Sequence, residues 1–207
     1  PKANYTRAEA AKLVAYMQLG PTKAESLAGN GAMFTDTLNM WASKYITYCA
    51  QQGIITGYGN GKFGPNDALT GYQWAKMCLA AVGYGVNKEY VGNSWSINVA
   101  KDGLQKGVFT DVLSASTNAI ITREQAMQMC FNTLTGINKV TYSSAIGDYI
   151  DGAWMANGVT TTGTLGESVY ALYCSNNDTN VVNNNTTVLG EQAMNYVAAD
   201  EAFEVST

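Results

Sequence analysis

One motif, written three times, constrains this chain more than any other feature. Thr6-Arg7-Ala8-Glu9, Thr70-Gly71-Tyr72-Gln73 and Thr122-Arg123-Glu124-Gln125 stand 64 and 52 residues apart. Each opens a run of one period: NYTRAEAAKLVAYM, ALTGYQWAKMCLAA and IITREQAMQMCFNT. Aligned on the threonine, apolar or small residues share rows: Ala10, Leu13, Val14 and Met17; Trp74, Met77, Cys78 and Ala81; Ala126, Met129 and Cys130. Spacings of three and four place each set on one face of a helix. A threonine followed three residues later by Glu or Gln is a capping box. Its hydroxyl accepts the third helical N–H, and the longer side chain reaches back to the cap N–H. Such a cap is worth about 1 kcal/mol. A unit of this kind cannot bury its own apolar face, so the copies are expected to stack on one another.

Capping accounts for Thr6, Thr70, Thr122 and their Glu or Gln partners without any ligand. It does not account for Arg7 and Arg123, because a cation in the first helical turn opposes the helix dipole. These two arginines are the candidate functional residues.

A second helix type alternates with the first. MWASKYITYCAQQGII and SWSINVAKDGLQKGVF align at a constant offset of 54, pairing Trp41 with Trp95, Ile46 with Ala100, Ala50 with Leu104 and Gly53 with Gly107. Each glycine sits where a left-handed cap ends a helix. Between the two types lies GYGNGKFGPND, a turn-forming loop. A decayed fourth copy is expected in IDGAWMANGVTTTG and LGEQAMNYVAA, where Leu189 and Gly190 replace threonine and arginine. SVYALYC and TNVV, within 165–188, read as a short hairpin. The expectation is a mainly α, pseudo-symmetric repeat of helix-loop-helix modules packed as a spindle, with that hairpin near the C-terminus. Helices are expected near 7–19, 39–52, 71–83, 94–106, 123–135, 146–157 and 190–199. The units divide at 1–32, 33–87, 88–138 and 139–207.

Composition excludes several functions. The chain has no histidine, which rules out Ser-His-Asp and Cys-His catalysis and His-ligated zinc. Twelve basic against 16 acidic residues, a net charge of −4, argue against nucleic acid as a partner. No apolar run reaches the length of a membrane span. The four cysteines form no CxxC pair, and Cys78 and Cys130 occupy equivalent helix rows, so they are expected to be buried and unpaired. NNDTN at 176–180 alternates like a calcium loop, but Val181 and Thr187 stand where Gly and Glu are needed. Asp148 and Asp151 read as a solvated edge rather than a glycosidase pair. No catalytic residue, metal or cofactor is expected. The chain starts at Pro1, as a processed protein or excised fragment would, so a missing leader carries no information on export.

The order FTD, Trp41, then GIITGYGNGKFGPNDALTGYQWAKM strongly resembles the S-layer homology module. Residues 34–83 match almost continuously, with Asn60 in place of the loop aspartate. Residues 4–19 resemble the tail of a preceding module, and residues 90–136 a diverged one. The resemblance implies a threefold helical spindle whose Thr-Arg-Ala-Glu helix starts line grooves between modules. It implies that these grooves bind secondary cell-wall polysaccharide, often through a pyruvate-bearing sugar, and anchor an extracellular protein to the bacterial cell wall. On that reading Arg7 and Arg123, beside Thr6 and Thr122, clamp the anionic sugar. Trp41, Gly57 and Tyr58 supply a stacking face and close backbone approach. Gly71 and Gly190 stand where arginine belongs, so their grooves are expected to bind poorly. Trp41 and Trp95 also fit core anchors, since both fall on repeated helical rows. The alternative function is a self-assembling subunit of a surface layer or filament, in which copies of the chain are the partners. The low content of charged residues, 14%, favours association.

Overall fold

The computed structural model describes residues 2–28, 33–156 and 159–170. Six α-helices and two antiparallel hairpins are present among them: α1 Arg7–Glu25, α2 Ser43–Gln51, α3 Gly71–Ala81, α4 Trp95–Gln105, α5 Arg123–Gly136, β1 Val140–Ser143, β2 Asp148–Asp151, β3 Ala153–Ala156, β4 Val159–Thr162 and α6 Leu165–Tyr170. The first helix runs past its expected end, but Gly20 (φ 74°, ψ 161°) and Pro21 break it. The proline ring and its missing N–H disrupt the ladder there.

All three capping boxes form. Thr6, Thr70 and Thr122 accept the amides of Glu9, Gln73 and Gln125, and those side chains return to the threonine N–H groups at 2.9–3.0 Å. The helix starts are then tied to one another. Tyr5 N–H donates to Ile121 O (3.2 Å), Ile121 N–H to Leu69 O (3.0 Å), and Leu69 N–H to Tyr5 O (2.8 Å). These bonds close a ring through the residues that precede the three cap threonines. The ring leaves the helix faces turned inward. Val14, Met17, Trp74, Cys78, Ala126 and Met129 are buried, and the Trp74 indole N–H donates to Ala126 O at 3.0 Å. Cys49, Cys78 and Cys130 are buried free thiols. Helices α2 and α4 end as their glycines require, with Gly53 at φ 72° and Gly107 at φ 84°.

The chain after α5 departs from the expected repeat. The helix placed over 146–157 is instead made of strands. β1 and β2 pair with Tyr142 opposite Tyr149, and β3 pairs with β4. Gly147 at φ 68° turns the first hairpin. β-Branched and aromatic residues (Val140, Thr141, Tyr142, Tyr149, Ile150) favour the pleated surface, and Gly152 weakens any helix through this stretch. The hairpin expected within 165–188 is a helix at its start, and the rest of that span, like the helix at 190–199, lies outside the described residues. A fourth capping box, at Thr164, stands outside the repeated motif: Glu167 N–H donates to Thr164 Oγ1 (3.1 Å) and Thr164 N–H to Glu167 Oε2 (2.7 Å). The short α6 that it opens packs against α1 and α5.

Candidate groove at the first helix start

A groove of about 280 Å³ lies where the start of α1 meets the loop after α2, the flank of α3 and the start of α4. Arg7 enters it from α1. Its Nε donates to Phe63 O and its Nη2 to Thr56 O, both at 2.9 Å. The guanidinium lies 4.3 Å from the Phe63 ring centroid and 5.0 Å from that of Tyr58. Loop 56–63 therefore fixes Arg7 with two carbonyls and two ring faces. Asp36 holds the loop in turn, accepting the amides of Phe63 and Gly64 at 2.8 Å each. Gly57 has no room for a side chain: a Cβ would stand 2.5 Å from Phe34 and 2.6 Å from Lys62 O. Tyr58 is 55% exposed, and its hydroxyl donates to Asp67 at 2.7 Å.

Lys76 faces the same groove from α3, beside Gln73, with Tyr90 and Trp95 on the far wall. Burial lowers the pKa of Arg7 against the opposing pull of Tyr58, Asp67 and Asp36, and burial followed by the charge of Arg7 lowers that of Lys76. Two cations crowd one cleft whose described lining residues include no carboxylate. Such a site draws an anion from water, since an anion relieves the repulsion between the cations. The backbone contributes less than the sequence suggests. Arg7 N–H donates to Asp67 O (3.0 Å), Ala8 N–H to Pro65 O (2.9 Å) and Glu9 N–H to Thr6. The first-turn amides are thus already partnered, and so are the Thr6 and Thr122 hydroxyls, so recognition here falls to side chains.

The seven residues singled out in the sequence do not form one site. Arg7, Gly57 and Tyr58 come together, with Thr6 behind them as the cap. Arg123 is at the third helix start, in a salt bridge with Glu9, and its side chain is 52% exposed. Thr122 caps that helix. Trp41 is at neither start. It is 56% exposed ahead of α2, tilted against Tyr45 at 6.4 Å, so it is not the core anchor its repeated row implied. Trp95, its counterpart, is partly buried and lines the Arg7 groove. Gly71 is bound by packing: a Cβ there would lie 1.6 Å from Ala115 O. The residues missed in the sequence are Lys76 and Gln73. Gln73 was assigned only as a cap, and the available signal was that it replaces a glutamate.

Residues 34–73 match the family model of the S-layer homology domain. An endoglucanase from Bacillus sp. (strain KSM-635) is 32% identical over 110 residues, which is 46% of this chain and 12% of that protein. An uncharacterized cell wall amidase of Bacillus anthracis is 28% identical over 144 residues, 64% of this chain and 26% of that protein. The chain thus spans about an eighth and about a quarter of these two relatives.

Proposed function

With residues 34–73 forming an S-layer homology domain, the mark of a wall-associated bacterial cell-surface protein, we propose that this chain is a non-catalytic anchor that binds an anionic cell-wall polysaccharide through the Arg7 groove. The observation that carries this reading is the pair Arg7 and Lys76 beside Tyr58 and Trp95, in a groove whose described lining residues include no carboxylate. A guanidinium with two donors fixed by the loop keeps its remaining edge for a sugar carboxylate. Lys76 adds a second charge, and the rings offer faces to the apolar side of a sugar. A pyruvate-bearing sugar fits this chemistry. The three capped helix starts and their closed hydrogen-bond ring support a reading as three related modules about a shared axis, with the hairpins and α6 as an addition. The enzyme names of the relatives belong to those longer proteins.

A second reading, self-assembly into a surface layer, is favoured by exposed apolar residues such as Phe131 and Met127, one turn apart on α5. Co-sedimentation with purified wall polysaccharide separates the two. The Arg7→Ala protein should bind at least about tenfold more weakly, as expected for a lost charged contact. Full retention by an Arg7→Ala, Lys76→Ala double variant would end the anchoring account and leave assembly in the lead.

A further inference from the structure

Loop 56–63, which fixes Arg7, carries a reactive pair of residues at its tip. Tyr58 N–H donates to Lys62 O at 2.9 Å and closes a turn over Gly59, Asn60 and Gly61. Both glycines are left-handed, at φ 82° and 76°, and a Cβ on either would meet nothing within 4 Å. Asn60 and Gly61 are exposed. Gly61 N–H donates to no group among the described residues. The Asn60 side chain folds back over the turn, and its Oδ1 accepts Lys62 N–H at 3.2 Å.

These features favour attack by the backbone on the Asn60 side chain. An asparagine followed by glycine offers its Cγ to an amide nitrogen that no side chain shields, on a residue with wide freedom of φ and ψ. Here that amide is unbound, so no hydrogen bond has to break before it reacts. Lys62 N–H already meets the oxygen on which negative charge would develop, as a donor in an oxyanion hole does. The open space around both glycines lets the tip turn into a ring without displacing a neighbour.

We propose that Asn60 is a site of spontaneous deamidation, and that its products set the working life of the Arg7 groove. Gly61 N gives up its proton to hydroxide and bonds to Asn60 Cγ. The Cγ–Nδ2 bond breaks, and the nitrogen takes a proton from water and leaves as ammonia. Water then opens the five-membered imide. Opening at Cγ gives aspartate on an intact backbone. Opening at the main-chain carbonyl of residue 60 gives isoaspartate, whose backbone runs through the side chain and is one methylene longer. The net change takes up one water and releases one ammonia, with nothing oxidised or reduced.

The two products treat Arg7 differently. The arms on either side of the tip supply Thr56 O and Phe63 O to the guanidinium, and Gly61 O accepts Thr35 N–H at 2.9 Å. An extra methylene between residues 60 and 61 puts those arms out of register. Aspartate keeps the register, can still accept Lys62 N–H, and stands outside the residues that line the groove. The chemistry stands by itself, whereas its effect on polysaccharide rests on the binding role proposed for Arg7.

The test ages the full chain in mildly alkaline buffer and follows peptide mass, isoaspartate content, the Arg7 Nε–H resonance and polysaccharide binding. The peptide holding residue 60 should gain one mass unit, mostly as isoaspartate. A second Arg7 Nε–H signal should grow in step with it, and the isoaspartyl fraction should bind about fivefold more weakly. Freshly made Asn60→Asp, the aspartyl product, should match fresh wild type. Asn60→Gln, whose longer side chain does not close a five-membered ring, should keep both its mass and its binding on ageing. No mass gain at residue 60 in the folded chain, or an Arg7 signal indifferent to isoaspartate, would overturn the proposal. An equal loss of binding in aged Asn60→Gln would do the same, by moving the cause elsewhere. If fresh protein does not bind polysaccharide, the role of the groove falls, while mass and the Arg7 signal still decide the deamidation.

Discussion

Arg7 and Arg123 stand at the same position of the same motif, each directly after a cap threonine, yet the fold gives them different fates. Around the hydrogen-bonded ring, two of the helix starts face the third residue of the neighbouring helix. Arg7 shares its groove with Gln73, a neutral amide. Arg123 meets Glu9, which pairs with it while capping Thr6. Either residue type closes a capping box, so the choice costs the helix little. It decides instead whether the facing arginine is neutralised from within. A motif is therefore not a site: one side chain on a neighbouring unit separates a groove open to an anion from one whose anion is built in. Gly71, at the second start, is a different case again, with the loop carbonyl of Ala115 packed where a side chain would begin.

The largest effect expected from this comparison is at Gly71. On the sequence alone, Gly71→Arg is expected to leave binding unchanged or to strengthen it. The structure predicts the opposite, because a Cβ 1.6 Å from a backbone oxygen forces the 115–117 loop away and breaks the bonds from Gly71 N–H and Tyr72 N–H to Ala119 O and Thr117 O. A loss of about 3 kcal/mol, or failure to fold, is expected from overpacking of this kind. Denaturant unfolding of Gly71→Arg measures it, and wild-type stability with a gained binding site would reverse the argument.

Glu9→Gln gives a smaller but sharper result. Glutamine preserves the capping box, as Gln73 and Gln125 do in their own helices. It releases Arg123 at a stability cost of about 1 kcal/mol or less, since the pair is partly exposed. The expected gain is a second, weaker polysaccharide site, seen as a rise in stoichiometry from one to two by calorimetry. An unchanged stoichiometry would show that Arg123 lacks the surrounding walls that loop 56–63 gives Arg7.

Much of this was legible in the residues and some could not be. The capped helices, their inward faces and the glycine exits rest on local rules, and each formed within a few residues of its expected place. The strands within 146–157 were not readable as such because IDGAWMANGVTTTG resembles a repeated helix with its glycine exit, while the pairing that makes it a strand is set by partners such as Tyr142 and Thr161. Arg7 was found through its clash with the helix dipole, a local signal. The difference between Arg7 and Arg123 was not readable, because Glu9 meets Arg123 across 114 residues of chain. Lys76 was hidden for the same reason: on its own helix it is an ordinary solvent-side lysine.

The smallest expected effect links acid to the groove. Asp36 carries two backbone amides of loop 56–64, and its pKa is lowered: burial pushes it up, but the Phe63 and Gly64 N–H bonds and then the charge of Lys62 outweigh that push. A carboxyl group whose folded pKa is depressed adds stability that is fully present above its unfolded value, about 3.9. That stability is lost as pH falls through the folded value. Below about pH 4 the loop should therefore loosen, and with it the carbonyls of Thr56 and Phe63 that hold Arg7. Asp36→Asn can accept only through its single carbonyl oxygen, so at neutral pH it should resemble the acidified wild type, with faster amide exchange at Phe63 and Gly64 and a modestly weaker hold on polysaccharide. The start of α5, where Arg123 N–H donates to Ala3 O rather than to this loop, should keep its exchange rates. If Asp36→Asn instead leaves exchange at Phe63 and Gly64 unchanged, the loop is held by its other bonds, those of Arg7 and Tyr58 among them, and the groove at Arg7 does not depend on the carboxylate.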